Sequence, residues 1–195
     1  MEECFDWSVL IVEIRKMTAE ELLERYADGE RNFMGIELIE TEISGKINLQ
    51  RCDLLGINLH GAYLSKVDFT EANLSEADLR HAFLAESTLE MAVVRDANLM
   101  CANLVRSNLH KADFRGSNLD YMNASLAFCK KAWFDYFKLA ILFNTNFRMA
   151  YVDGKSLWID NDVVNSIMPD GTRAFPGNTF PGDIFPGDTF PGSIY

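Results

Sequence analysis

From Ile47 to Tyr121 the chain divides into fifteen consecutive groups of five without a slip, beginning INLQR, CDLLG, INLHG and ending SNLHK, ADFRG, SNLDY. The third position is Leu or Phe in fourteen of them, with Val94 the exception, while the second is Asn or Asp in eleven and the first is Ala or Ser in eleven. A period of five fits neither the 3.6 residues of a helical turn nor the two of a flat strand. If every third-position side chain is to leave water, the chain has to turn a corner once per pentad, and four corners close a coil. Coils of this kind stack as parallel strands about 4.8 Å apart, each pairing its backbone with the coil below.

This geometry predicts an inward column of Leu54, Leu59, Leu64, Phe69, Leu74, Leu79, Leu84, Leu89, Leu99, Leu104, Leu109, Phe114 and Leu119. Burying one Leu stabilises by about 1.5–3 kcal/mol, so the column dominates the folding energy. The small first-position residue fits beside it. The second-position Asn or Asp is expected to point outward at the corner and bond local backbone groups, and the fourth and fifth positions are expected to face water.

The runs Ala72 to Ser75, Ala77 to Arg80, Ala97 to Met100, Ala102 to Val105 and Ala112 to Arg115 follow an A-[DN]-L pattern that resembles the pentapeptide-repeat proteins. The resemblance spans residues 31–153. It implies an all-β fold, a right-handed quadrilateral parallel β-helix of twenty residues per coil, and with its helical lead-in the chain is most similar to the cyanobacterial members. For most of those no activity is established, so the resemblance implies architecture and not a task.

Upstream of the regular run, RNFMG, IELIE and TEISG read as degenerate pentads centred on Phe33, Leu38 and Ile43, displaced by one extra residue near Gly45 and Lys46 where a bulge or loop is expected. Residues 17–30 read as a capping helix. Thr18 with Glu21 three residues on forms a capping box, Gly29 ends the helix, and Leu22, Leu23 and Tyr26 are expected to cover the open first coil. Residues 1–16 read as a leader: a mis-assigned start, or an added strand or partner-binding segment. After Tyr121 the repeat decays through MNASL, AFCKK and AWFDY, slips by three residues and resumes as AILFN, TNFRM and AYVDG. Residues 154–174 read as a C-terminal cap and linker. In residues 175–195, Phe175, Phe180, Phe185 and Phe190 each precede Pro-Gly, which suits either a disordered low-complexity tail or a Phe-bearing recognition tail.

The formal net charge is -11, yet residues 46–152 hold 12 Lys/Arg against 11 Asp/Glu, so the body is near neutral and lacks the basic stripe that direct nucleic-acid binding needs. No run approaches the length of a membrane span, and MEECFDWSVLIVEIRK lacks a basic n-region, so a cytosolic protein is expected. Cys4, Cys52, Cys101 and Cys129 form no C-x-x-C pair and suit free thiols in a reducing compartment. Catalytic candidates are weak. No Gly-rich phosphate loop, nucleophile elbow or H-E-x-x-H occurs. His60, His81 and His110 take solvent-facing fourth or fifth positions, and although His60 and His81 share one side of neighbouring coils, no Cys or carboxylate completes a metal site. Asp53, Asp68, Asp78 and Asp113 recur as corner residues and not as an acid–base pair. The expectation is a non-enzyme without cofactor, metal or small-molecule substrate.

Binding has better candidates. Tyr63 and Phe83 occupy second positions twenty residues apart and are expected to stack on one side. Phe128 and Trp133 depart from the pattern in the same way, accompanied by Tyr136, Phe137 and Phe143. These aromatics read as a partner or dimer contact, with a homodimer through the C-terminal end, or as closure of the last coil against Leu157, Trp158 and Ile159. Two functions follow. One is a non-catalytic cytosolic scaffold that binds a protein partner through a face of the solenoid. The other is a DNA-mimicking modulator of DNA gyrase or topoisomerase, implied by the quinolone-resistance branch of the resemblance and opposed by the near-neutral body.

Overall fold

The computed structural model describes residues 14–39, 47–135, 140–152, 161, 166, 167 and 169. Its backbone pairs in parallel with itself at a separation of twenty residues, and four ladders run side by side around the coil. Side 1 carries Asn58, Asp78 and Asn98; side 2 Tyr63, Phe83 and Asn103; side 3 Asp68, Thr88 and Asn108; side 4 Asn73, Val93 and Asp113. Each side is so short that most coils meet through one paired residue, the second of its pentad. Longer pairing among the described residues is confined to two-residue strands: β1 (Lys16–Met17) beside β2 (Glu37–Leu38), and β3 (Asp113–Phe114), β4 (Trp133–Phe134) and β5 (Tyr151–Val152) in a row, all parallel.

Each pentad contributes repeated bonds between coils: Leu59 N donates to Asp78 O at 2.7 Å, Asp78 N to Ile57 O at 2.9 Å, and Gly61 N to Arg80 O at 2.8 Å. Inside, the third-position residues from Leu54 to Leu119, Val94 included, are buried in one core with first-position alanines such as Ala62, Ala72 and Ala82. Phe114 lies flat on Phe134, ring centroids 5.2 Å apart, so an aromatic ring enters the column without breaking the stack. At two first-position serines the hydroxyl turns back to the preceding third-position carbonyl, whereas Ser117 Oγ donates to Val94 O on the neighbouring coil. Ser87 Oγ donates to Leu84 O and Ser107 Oγ to Leu104 O, both at 2.6 Å. Among the described residues no buried side-chain polar atom lacks a partner.

The second-position residue sits mid-side and not at the corner, which corrects the expectation, and its side chain reaches forward to the corner two residues on. Asn58 Oδ1 accepts from His60 N at 3.1 Å, Asn73 Oδ1 from Ser75 N at 3.1 Å and Asn123 Oδ1 from Ser125 N at 3.0 Å. Only a short side chain ending in an acceptor closes that ring, which is why Asn and Asp recur. The corner itself falls at the fourth and fifth positions, with the next first-position amide bonding back, as Ala62 N does to Leu59 O at 3.0 Å. The fifth residue is left-handed throughout: Lys66, Glu76, Arg106 and Lys111 have φ of 64°, 60°, 60° and 59°, in line with Gly56 at 67° and Gly61 at 64°.

Two departures change coil length. Asn32 pairs with Asn58 and Glu37 with Tyr63, twenty-six residues on, so Asn32, Glu37, Asn48 and Asp53 close the first coil. The displacement is therefore six residues and not the expected one; the pentad around Ile43 supplies none of those four rungs, and residues 40–46 lie outside the described residues. At the other end Asn123 pairs with Ile141, Phe128 with Asn146 and Trp133 with Tyr151, eighteen residues on, as the three-residue slip requires.

Helix α1 (Ala19–Ala27) carries the capping box: Thr18 Oγ1 accepts from Glu21 N at 3.1 Å and the Glu21 carboxylate from Thr18 N at 3.0 Å. Leu22 is fully buried in the core, Leu23 and Tyr26 pack against it, and the Tyr26 hydroxyl donates to Leu55 O at 2.8 Å. Strand β1 adds a rung below β2, with Glu37 N donating to Arg15 O and Ile39 N to Met17 O, both at 3.0 Å. The Arg15 guanidinium bonds Glu30 at 3.2 Å and Asn32 O at 3.3 Å. Arg15 and Lys16 thus belong to the folded body. Residues 1–13 and the 175–195 tail lie outside the described residues.

Candidate protein-interaction surface

Reactive side chains are dispersed by the fold. Among the described residues no group of three or more His, Cys, Asp and Glu could hold a metal ion. His60, expected to face water, is only 8% exposed because its ring stacks on His81, centroids 5.3 Å apart. His110 Nδ1 is held by Lys130 O at 2.7 Å. Cys52 and Cys129 carry free thiols that burial pushes up in pKa, so they resist forming thiolate.

The expected aromatic set does not form one patch. Tyr63 and Phe83 do meet, on side 2, with ring centroids 4.7 Å apart and planes within 5°. Phe128 stands on side 3 beside the His110 ring at 5.7 Å. Trp133 stands on side 4, stacked on Tyr151 at 3.9 Å with the Arg115 guanidinium 5.1 Å from its ring. Phe143 returns to side 2, at the corner beyond Ile141, while Tyr136, Phe137, Leu157, Trp158 and Ile159 lie outside the described residues. A difference of one pentad moves a residue to the next side, so neighbours in sequence such as Phe128 and Trp133 separate.

Side 2 differs from the others in its fourth-position column, which was not singled out from the sequence. It reads Ile39, Ser65, Ala85, Val105, Ser125 and Phe143, without a charge. The corresponding columns carry Arg80 and Asp120 on side 1, Glu90, Lys130 and Arg148 on side 3, and Arg95, Arg115 and Asp135 on side 4. Phe83, Ile141 and Phe143 are 38–39% exposed, and Ile39 and Leu126 are exposed as well. The signal was present at every twentieth residue from Ser65 to Ser125, but it emerges only once the chain is written in coils of four pentads.

Elsewhere outward charges neutralise one another. Arg51 pairs with Glu71 one coil on at 2.9 Å, and along the edge of side 2 itself Arg106 pairs with Glu86 at 3.7 Å. On side 1, burial raises the Asp78 pKa, but hydrogen bonds and charge from Arg80 outweigh it and hold the carboxyl below its ordinary value.

No curated protein sequence matches the chain. Among solved structures, pentapeptide-repeat protein Rfr23 from the cyanobacterium Cyanothece is 22% identical, with 71% of this chain and 99% of that one covered and a TM-score of 0.49. HetL, a pentapeptide-repeat protein involved in heterocyst differentiation regulation from the cyanobacterium Nostoc, is 22% identical over 81% of this chain and all of its own, with a TM-score of 0.27. Full-length QnrB1, a plasmid-mediated fluoroquinolone resistance protein, is 14% identical with 79% of each chain covered and a TM-score of 0.37. The family model for pentapeptide repeats matches in eight copies over residues 46–80 and 77–116, the same stretch in which the coils repeat every twenty residues.

Proposed function

We propose that this chain is a non-catalytic interaction protein of the cytosol that binds a protein partner through side 2 of a right-handed, four-sided β-helix, with α1 capping the first coil. The observation that carries the reading is the uncharged fourth-position column of side 2 beside the Tyr63–Phe83 stack, where every other side interleaves opposite charges. Stacked aromatics among small uncharged residues, rimmed by Lys66, Glu86 and Arg106, match the make-up of an interface centre with a polar rim.

The test is affinity capture by the wild-type chain, by Phe83→Asp on side 2 and by Lys111→Glu on side 3, each checked for an unchanged melting curve. A partner held by wild type and Lys111→Glu but lost by Phe83→Asp supports the reading, and binding indifferent to Phe83→Asp overturns it. The DNA-mimicking alternative has its own readout, supercoiling by the source organism's gyrase with rising amounts of the chain. The balance of 12 Lys/Arg and 11 Asp/Glu in residues 46–152 predicts no stoichiometric inhibition there.

A further inference from the structure

Above the β1 rung at Lys16, side 2 spans six coils, from Glu37 to Ile141, and over those six its fourth-position column is nearly symmetric about the midpoint. Read along the rod, the fourth-position column is Ile39, Ser65, Ala85, then Val105, Ser125, Phe143: large, Ser, small, small, Ser, large. The second-position column is asymmetric in the complementary sense, with the rings of Tyr63 and Phe83 in one half and the short Asn103 and Asn123 in the other. Along the flanking fifth positions, Glu86 and Arg106 sit on either side of the midpoint.

We propose that the partner of side 2 is a second copy of this chain, packed antiparallel across a two-fold axis that crosses the rod between its third and fourth coils. This rests on side 2 being the interaction surface. A two-fold axis perpendicular to the rod and lying in the contact plane sets each column against itself upside down. Phe83 then faces Asn103 of the second copy, Tyr63 faces Asn123 and Ile39 faces Phe143, so that in the middle of the strip bulk meets space, while toward its ends Glu37 faces Ile141 and Lys66 faces Leu126. Glu86 faces Arg106 twice, once from each copy. Moving the axis by half a coil sets Arg106 against Arg106 or Glu86 against Glu86, and a parallel pair sets Phe83 on Phe83 and Asn103 on Asn103 at mid-side. Like charges directly opposed in this way disfavour the wrong register. The strip is about 24 Å tall, five spacings of about 4.8 Å, and only one side of a coil wide, so the contact is small and the dimer a weak one.

The test is sedimentation of the full chain between about 1 and about 300 µM, the range in which a small interface dissociates. The average mass is expected to rise toward that of a dimer. Glu86→Arg and Arg106→Glu are then run singly and mixed one to one, with melting curves to show that both fold. Each alone is expected to stay monomeric, because four like charges meet at the axis, and the mixture is expected to recover the dimer, because both cross-pairs become opposite. A structural role of Glu86 and Arg106 within one chain would not produce recovery on mixing. Dimers formed by either variant alone, or a mixture that stays monomeric, overturn the proposal, the former pointing to another surface such as the C-terminal end. A wild type that is monomeric throughout also overturns it, and leaves the broader reading of side 2 to be decided by the Phe83→Asp capture experiment.

Discussion

Arg95 reaches across one coil to Asp113 and holds its carboxylate at 2.6 Å. Arg115 grips the same group at 2.6 Å from two residues ahead. Burial alone pushes the Asp113 carboxyl up, but hydrogen bonds from Arg115 and Arg95 outweigh it and lower the pKa from 3.8 to about 2. A group lowered by folding contributes stability that is complete above its unfolded value and is lost as pH falls toward its folded one. Asp113→Asn should therefore cost most above about pH 4, at most about 2 kcal/mol given solvent around the arginines, and the gap to wild type should close between about pH 4 and 2. Melting temperatures of both proteins across that range check this; a gap that does not change with pH contradicts it.

Leu74→Asp should abolish folding. Leu74 is fully buried, and an acid there has no partner in the column. Asp78→Ala should cost only about 1 kcal/mol, since it removes an outward side chain that bonds Arg80 N at 3.2 Å. Circular dichroism with thermal melting separates the two, and a folded, stable Leu74→Asp would show that the inward register is misassigned.

Lys66 sits at φ 64° with its side chain in solvent. Replacing it by Gly relieves a left-handed conformation worth about 1 kcal/mol while adding unfolded-state freedom of similar size, so Lys66→Gly should be neutral within about 0.5 kcal/mol. Lys66→Val places a β-branched side chain at positive φ and should destabilise by more than about 1 kcal/mol. Chemical denaturation resolves that difference, and equal stabilities would argue against a strained corner.

A chain beginning at Met17 should be less stable than one beginning at Ile14. It lacks the Arg15 carbonyl that accepts from Glu37 N and the Lys16–Glu37 ion pair at 3.1 Å. An orphaned strand-edge amide and a lost rung cost about 1–2 kcal/mol, or roughly 3–8 °C in melting temperature. Identical melting temperatures would mean that β1 contributes nothing to the fold.

What was legible in the sequence follows from strict periodicity. Leu or Phe at nearly every third position of a pentad and Asn or Asp at most second positions announce the buried column and the outward acceptor, because burial and the two-residue side-chain ring each tolerate few residue types. The corner was placed too early because Lys66, Glu76 and Arg106 conceal the positive φ that Gly56, Gly61 and Gly116, all fifth in their pentads, display. The six-residue displacement after Ile39 could not be read because the apolar spacing of the sequence continues through Ile43. Side 2 stayed hidden for a different reason. Its character lies in the absence of charge from a column sampled once in twenty residues, and an absence leaves no motif.

Each coil adds the same height and the same three kinds of bond whatever its outward residues are. The molecule therefore behaves as a graduated ruler. Its graduations, about 4.8 Å, are set by the backbone, while the markings written on each face vary independently. Length changes in the coils occur where Ile39 leads toward Ile47 and where Asp135 leads toward Ala140, and in both cases the scale resumes in register on the far side. Lengthening or shortening such a ruler by whole turns alters which distances it can span without altering how any one mark is read.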